Sequence, residues 1–217
     1  MYQLRSIVAA LVIATGLLQP AGVLATTLVV AVHTSDGRPL PGAVLTLRTR
    51  GGGDHPGAPV HAVMDQLNKT FVPQLLVLPP GSSVEFRNND SVSHEIYSFS
   101  PAKKFQLPLY HGKPYPPVLF EHTGLVTLGC NIHDWMLAYV LVTDAPYFGQ
   151  TDKTGSWSVD LPAHTSVLVS VWHPRMGEGA EPEHEVTIAE SEVSLTLRLT
   201  RPLQPAPIES RHSSDAY

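Results

Sequence analysis

Apolar residues recur at every second position through much of this chain. In 43–49, Val44 and Thr46 fall on one face and Leu45 and Leu47 on the other. In 83–87, Val84 and Phe86 alternate with Glu85 and Arg87. Period two marks a strand with one buried face. Similar patterns, or short apolar runs between turns, predict strands at 27–33, 63–67, 75–78, 94–99, 125–130, 137–143, 157–161, 167–171 and 193–199. Turn clusters separate them at 35–42, 79–81, 88–91 and 151–155, and 51–57 reads as a Gly-rich linker. Residues 100–118 are proline-rich and predict a long loop or short edge strands. No stretch carries a helical period over a useful length, so the expected class is all-β.

Composition adds to this picture. Twenty prolines and sixteen glycines in 217 residues favour turns and short strands. The formal charge is −5, and the few Lys and Arg form no basic stripe, which argues against a nucleic-acid partner. The first 25 residues read as a signal peptide: Arg5, an uncharged run over 7–18, then Val23-Leu24-Ala25 as a small-x-small cleavage site. The run is short for a membrane helix, which needs about 20 apolar residues. An exported, periplasmic protein with no membrane span after cleavage is expected. Residues 202–217 are rich in proline and serine and read as a disordered tail.

Export makes the single cysteine informative. One thiol in an oxidising compartment is buried, paired between molecules, or chemically occupied. Cys130 is followed by His133 and Met136, in a loop between two predicted strands. Thiolate, imidazole and thioether suit copper in a trigonal site with a weak axial methionine, and that site needs a second histidine. Zinc fits less well, because its structural sites draw on four Cys or His ligands. His94 is the expected fourth ligand, since it follows a turn at a strand end. His111, in an irregular stretch, and His122, at the far end of the cysteine strand, are its competitors. The remaining histidines, His33, His55, His61, His164, His173, His184 and His212, show no ligand spacing. Glu121 and the pair Trp172-His173 read as structural, and no catalytic constellation stands out.

Residues from about 60 to 145 resemble the cupredoxins, the small blue-copper sandwich family. The resemblance is carried by Phe71-Val72-Pro73, by Pro80-Gly81-Ser82-Ser83-Val84-Glu85-Phe86, by Asn88-Asn89-Asp90 ahead of His94, and by Cys130, His133 and Met136 at the C-x-x-H-x-x-M spacing of the amicyanin type. Asp134 departs from the proline common after the loop histidine, and 100–118 is longer than a minimal member needs. The flanks are similar to a different family. Gly37-Arg38-Pro39-Leu40-Pro41-Gly42-Ala43 and Thr151-Asp152-Lys153-Thr154-Gly155-Ser156-Trp157 resemble two halves of the carboxypeptidase-regulatory-like sandwich motif. Together the parts resemble the periplasmic proteins grouped under methylamine utilisation.

These resemblances imply a Greek-key cupredoxin sandwich at 58–146 nested within a second small β-sandwich built from 26–50 and 147–201. They imply one copper ion on His94, Cys130, His133 and Met136, and a type 1 (blue) copper protein carrying single electrons. A cytochrome c or a periplasmic dehydrogenase is the expected redox partner, and no enzymatic activity is expected. Two further classes stay open: a copper-trafficking or sensing protein, and a docking module with an accessory copper site. Trp135 is the expected centre of the docking surface, the alternative being that it packs into the end of the sandwich and supports the loop.

Overall fold

The computed structural model describes residues 25–205, apart from 53–54, 177–180 and 190; the expected signal-peptide run, most of the expected tail, and His212 lie outside the described residues. Two sandwiches are threaded in one another. The first strand, β1 (Ala25–His33), alternates buried and half-buried as its sequence demands, with Leu28, Val30 and Val32 fully enclosed. It lies between β13 (Ser156–Pro162), antiparallel, and β16 (Val193–Arg198), parallel. The facing sheet runs in the order β12 (Tyr147–Gln150), β2 (Val44–Thr49), β14 (Ser166–Trp172), β15 (His184–Thr187). Their shared core contains Leu28, Leu45, Leu47, Leu161, Val169 and Ile188.

All strands between β2 and β12 belong to the other sandwich. One of its sheets has the order β4 (Thr70–Val72), β3 (His61–Leu67), β6 (Ser82–Phe86), β9 (Val118–Phe120). The other has the order β5 (Leu75–Leu78), β11 (Leu137–Val142), β10 (Gly124–Gly129), β7 (His94–Ser98), β8 (Phe105–Tyr110). Phe71, Phe86 and Phe120 are fully buried between the sheets. Each contributes about 1.5–3 kcal/mol relative to an exposed ring. The class is all-β; among the described residues the one helical element is a single 3-10 turn, Pro174–Met176.

Residues 37–43 and 151–155, far apart in sequence, meet in space. Thr151 Oγ1 donates to the Leu40 carbonyl at 2.6 Å, and the Ala43 N–H donates to Thr151 Oγ1 at 2.9 Å. The Val32 N–H donates to the Gly155 carbonyl at 2.8 Å. A Cβ on Gly155 would lie 2.8 Å from both Leu40 N and Val32 O, and its φ is +77°, so only glycine fits this crossing. The two sandwiches touch through an Arg48–Asp144 ion pair and an edge-to-face contact of Tyr139 with Trp172, centroids 5.6 Å apart.

The prolines of 100–118 do not prevent pairing. β8, which contains Pro108, is the edge of its five-stranded sheet, where a missing N–H costs no ladder bond. His94 pairs with Tyr110 and Ile96 with Leu107, so β8 carries one extra residue beside His94. Such bulges gather next to functional sites, where they re-aim side chains.

Candidate metal centre

His94 opens β7 and is fully buried. The turn before it is fixed by side chains. Buried Asn88 donates through Nδ2 to the Val92 and Tyr110 carbonyls, at 3.0 and 2.8 Å, while its Oδ1 accepts from the Asp90 N–H at 3.0 Å. Asp65 of β3 accepts from Asn89 at its backbone N–H and at Nδ2. The main chain therefore arrives at His94 with little freedom.

Cys130 follows β10, and β7 is the neighbour of β10 in the sheet. The loop from Cys130 to Met136 is anchored at both ends, because Gly129 pairs with Leu137 across the β10–β11 hairpin. Gly129 also leaves room for Tyr97: a Cβ there would lie 2.8 Å from the Tyr97 ring and hydroxyl. Within the loop, the Met136 N–H donates to the His133 carbonyl at 2.9 Å, a tight turn that brings the methionine back toward the sandwich. Cys130 and Met136 are buried, at 2% and 3% exposure, and His133 is half-buried.

His94, Cys130 and His133 form one cluster whose ligand atoms all lie within 4.8 Å of one another. Cys130 Sγ is 3.7 Å from His94 Nδ1, and the two imidazole centroids are 4.9 Å apart. A metal about 2.0 Å from nitrogen and about 2.3 Å from sulfur, with ligands 110–120° apart, spans about 3.5–3.7 Å between those atoms. The residues therefore fit an ion held between them. A soft sulfur with two imidazoles, and a buried thioether three residues beyond the second, is a donor set suited to copper.

His94 Nδ1 faces the sulfur, and its Nε2 lies 3.0 Å from Asp90 Oδ2. A carboxylate behind a ligating histidine fixes its tautomer and ring plane and raises its basicity. Burial pushes the Asp90 carboxyl up, but hydrogen bonds from His94 and from the Lys69 and Ser91 backbones outweigh it. The group ends below its ordinary 3.8 and stays ionised at neutral pH.

The competitors lie elsewhere. His111 is exposed, with Nε2 2.9 Å from the Asp90 carbonyl, and His122 is exposed beyond β9. Trp135 is half-buried against the core, its ring edge-on to His133 at 5.1 Å and its indole N–H donating to the Lys69 carbonyl at 3.3 Å. The exposed apolar residue of the loop is Ile132, at 52%. Sequence reasoning passed over Asp90 and Lys69. Asp90 had a local signal, a carboxylate four residues before a candidate ligand; Lys69 had none, since its contacts come from residues 21 and 66 positions away.

No protein-family model and no curated protein matches the chain. Solved structures do resemble part of it. A purple cupredoxin from Nitrosopumilus maritimus is 26% identical, over 38% of this chain and 99% of its own, with a TM-score of 0.34. Pseudoazurin from Methylobacterium extorquens is 25% identical, over 39% of this chain and 76% of its own, TM-score 0.34. An oxidised amicyanin variant is 19% identical, over 38% of this chain and 82% of its own, TM-score 0.35. These structural neighbours are cupredoxins.

Proposed function

We propose that the chain holds one copper ion on His94, Cys130, His133 and Met136 and carries single electrons between redox partners. The observation that carries this reading is the buried His94–Cys130–His133 cluster with the Asp90 carboxylate behind His94. Copper there would supply a one-electron Cu(I)/Cu(II) couple. The chain's contribution is a fixed donor geometry. His94 is oriented by Asp90, Cys130 is set by the end of β10, and Met136 is buried at the start of β11. Donors that cannot rearrange suit both oxidation states about equally, which keeps the cost of electron exchange low.

In this reading 58–146 is the metal-binding unit, and the sandwich of 26–50 and 147–201, with its likeness to the carboxypeptidase-regulatory-like family, mounts it. His133 and Ile132 lie at the loop surface, where a redox protein such as a cytochrome c or a periplasmic dehydrogenase would dock. No catalytic step is assigned. No helix among the described residues is long and apolar enough to cross a membrane. A periplasmic location rests on the leader-like first 25 residues.

Voltammetry of protein reconstituted with Cu(II) tests the reading. A reversible one-electron wave, with one copper per chain before and after cycling, is expected. Copper that leaves on reduction would point to a trafficking protein.

A further inference from the structure

We propose that the turn at Asn68 and Lys69 is a clamp that positions both histidine ligands through the main chain of Lys69; this rests on the copper reading of the site. The Lys69 N–H donates to Asp90 Oδ2 at 2.5 Å, and the same oxygen is 3.0 Å from His94 Nε2. The Lys69 carbonyl accepts from Trp135 Nε1 at 3.3 Å, and the Trp135 ring meets His133 edge-on at 5.1 Å. One residue thus reaches one histidine through a carboxylate and the other through an indole.

The turn is built for a fixed geometry. β3 and β4 form an antiparallel hairpin in which Leu67 pairs with Thr70, leaving Asn68 and Lys69 as a two-residue connection. Both have positive φ, 51° and 57°, as the primed turns of tight hairpins require. Asparagine tolerates that region; lysine is held in it against its preference. Strained backbone persists where the surroundings over-determine it, and it gathers at functional sites. The hairpin is itself tied to the ligand turn, because Asp65 of β3 holds Asn89. The β3–β4 hairpin therefore grips the 88–91 turn at two points and the Cys130 loop at one.

A second feature separates this clamp from ordinary packing. Its contacts on the hairpin side use the N–H and C=O of Lys69 and not its side chain. Lys69→Gly keeps both groups and relieves the positive φ, whereas Lys69→Pro removes the N–H and forbids the φ. Trp135→Phe keeps a ring against His133 but deletes the indole N–H. The ligands themselves are untouched in all three.

The experiment measures Cu(II) affinity, the thiolate-to-copper absorption band and the reduction potential of the full chain and these variants. Imidazole nitrogen NMR of the metal-free proteins reads ligand orientation without copper. Lys69→Gly should match the parent. Lys69→Pro and Trp135→Phe should each shift the band and potential and weaken Cu(II) binding, by up to the roughly 10–100-fold that follows loss of a group bonded directly to a ligand. In metal-free protein, Lys69→Pro should perturb the His94 ring signals, and Trp135→Phe those of His133. If Lys69→Pro does not fold, Trp135→Phe and Lys69→Gly decide. Parent-like band, potential and affinity in Trp135→Phe, or a shifted band in Lys69→Gly, would overturn the clamp while leaving the copper reading intact. A parent protein that takes up Cu(II) without a thiolate band would overturn both.

Discussion

His173 should give the protein a pH-dependent stability that a single substitution removes. The ring is half-buried just after β14, beside Arg175 and Pro41. Burial is the main cause that lowers its pKa from 6.5 to about 4, and the neighbouring Arg175 lowers it further. The hydrogen bonds agree. Nδ1 accepts from the Arg175 N–H at 3.1 Å, which requires that nitrogen to be unprotonated; the Pro41 carbonyl accepts from the ring and opposes the shift without cancelling it. The folded-state pKa is depressed below the unfolded value, so both states are neutral above about pH 6.5 and no stability is lost there. Between about 6.5 and about 4 the unfolded chain takes up a proton that the folded chain refuses, and stability falls. The full difference corresponds to about 3 kcal/mol. Solvent contact with the half-buried ring screens it to roughly 2 kcal/mol. His173→Asn keeps an acceptor near Nδ1 and does not titrate. Urea unfolding followed by tryptophan fluorescence at about pH 7 and about pH 4.5 should show the parent losing roughly 1.5 kcal/mol more than the variant. Parallel losses in the two proteins would show that His173 does not set this pH dependence.

Met136→Leu should retain copper and raise the potential, because removing a weak sulfur donor destabilises Cu(II) more than Cu(I); voltammetry checks the sign. Tyr110→Phe should cost about 1–3 kcal/mol in chemical denaturation, since the buried hydroxyl donates to the Phe86 carbonyl at 3.0 Å and accepts from Gln66 Nε2 at 2.6 Å. Gly149→Ala should cost about 1–3 kcal/mol by overpacking, because its Cβ would lie 2.0 Å from Trp157 Nε1. Residues 58–146 expressed alone should fold and bind copper, since the core around Phe86 and Val140 is drawn wholly from that segment; an unfolded product would show that the flanking strands are required.

The strands most plainly read from sequence are those whose alternation is uninterrupted. β1 and β11 bury every second residue along their lengths, and β10 does so from Val126 on. β8 was legible only as one of two alternatives, because Pro108 and the bulge beside it break the period. β12 gave no signal. It is four residues long, contains Gly149 beneath Trp157, and is stabilised by pairing with β2 about a hundred positions earlier. The candidate site shows the same division. Cys130, His133 and Met136 stand out by spacing and His94 by its place after a turn; the fold brings His94, Cys130 and His133 together. The Lys69 and Trp135 contacts depend on how the β3–β4 hairpin lies against the ligand loop, a tertiary fact with no local trace. Trp135 was open to two readings, the centre of a docking surface or a support packed into the end of the sandwich; it is half-buried with its indole turned toward Lys69, and Ile132 is the exposed apolar residue of the loop.

The most direct test is the absorption spectrum of the full chain loaded with Cu(II), taken alongside Cys130→Ala, His94→Ala and His111→Ala. An intense sulfur-to-copper band that bleaches on reduction is expected in the parent. It should be absent from Cys130→Ala, lost or strongly altered in His94→Ala with the chain still folded, and unchanged in His111→Ala. A colourless parent, or a band that survives in His94→Ala and disappears in His111→Ala, would contradict the proposed copper site.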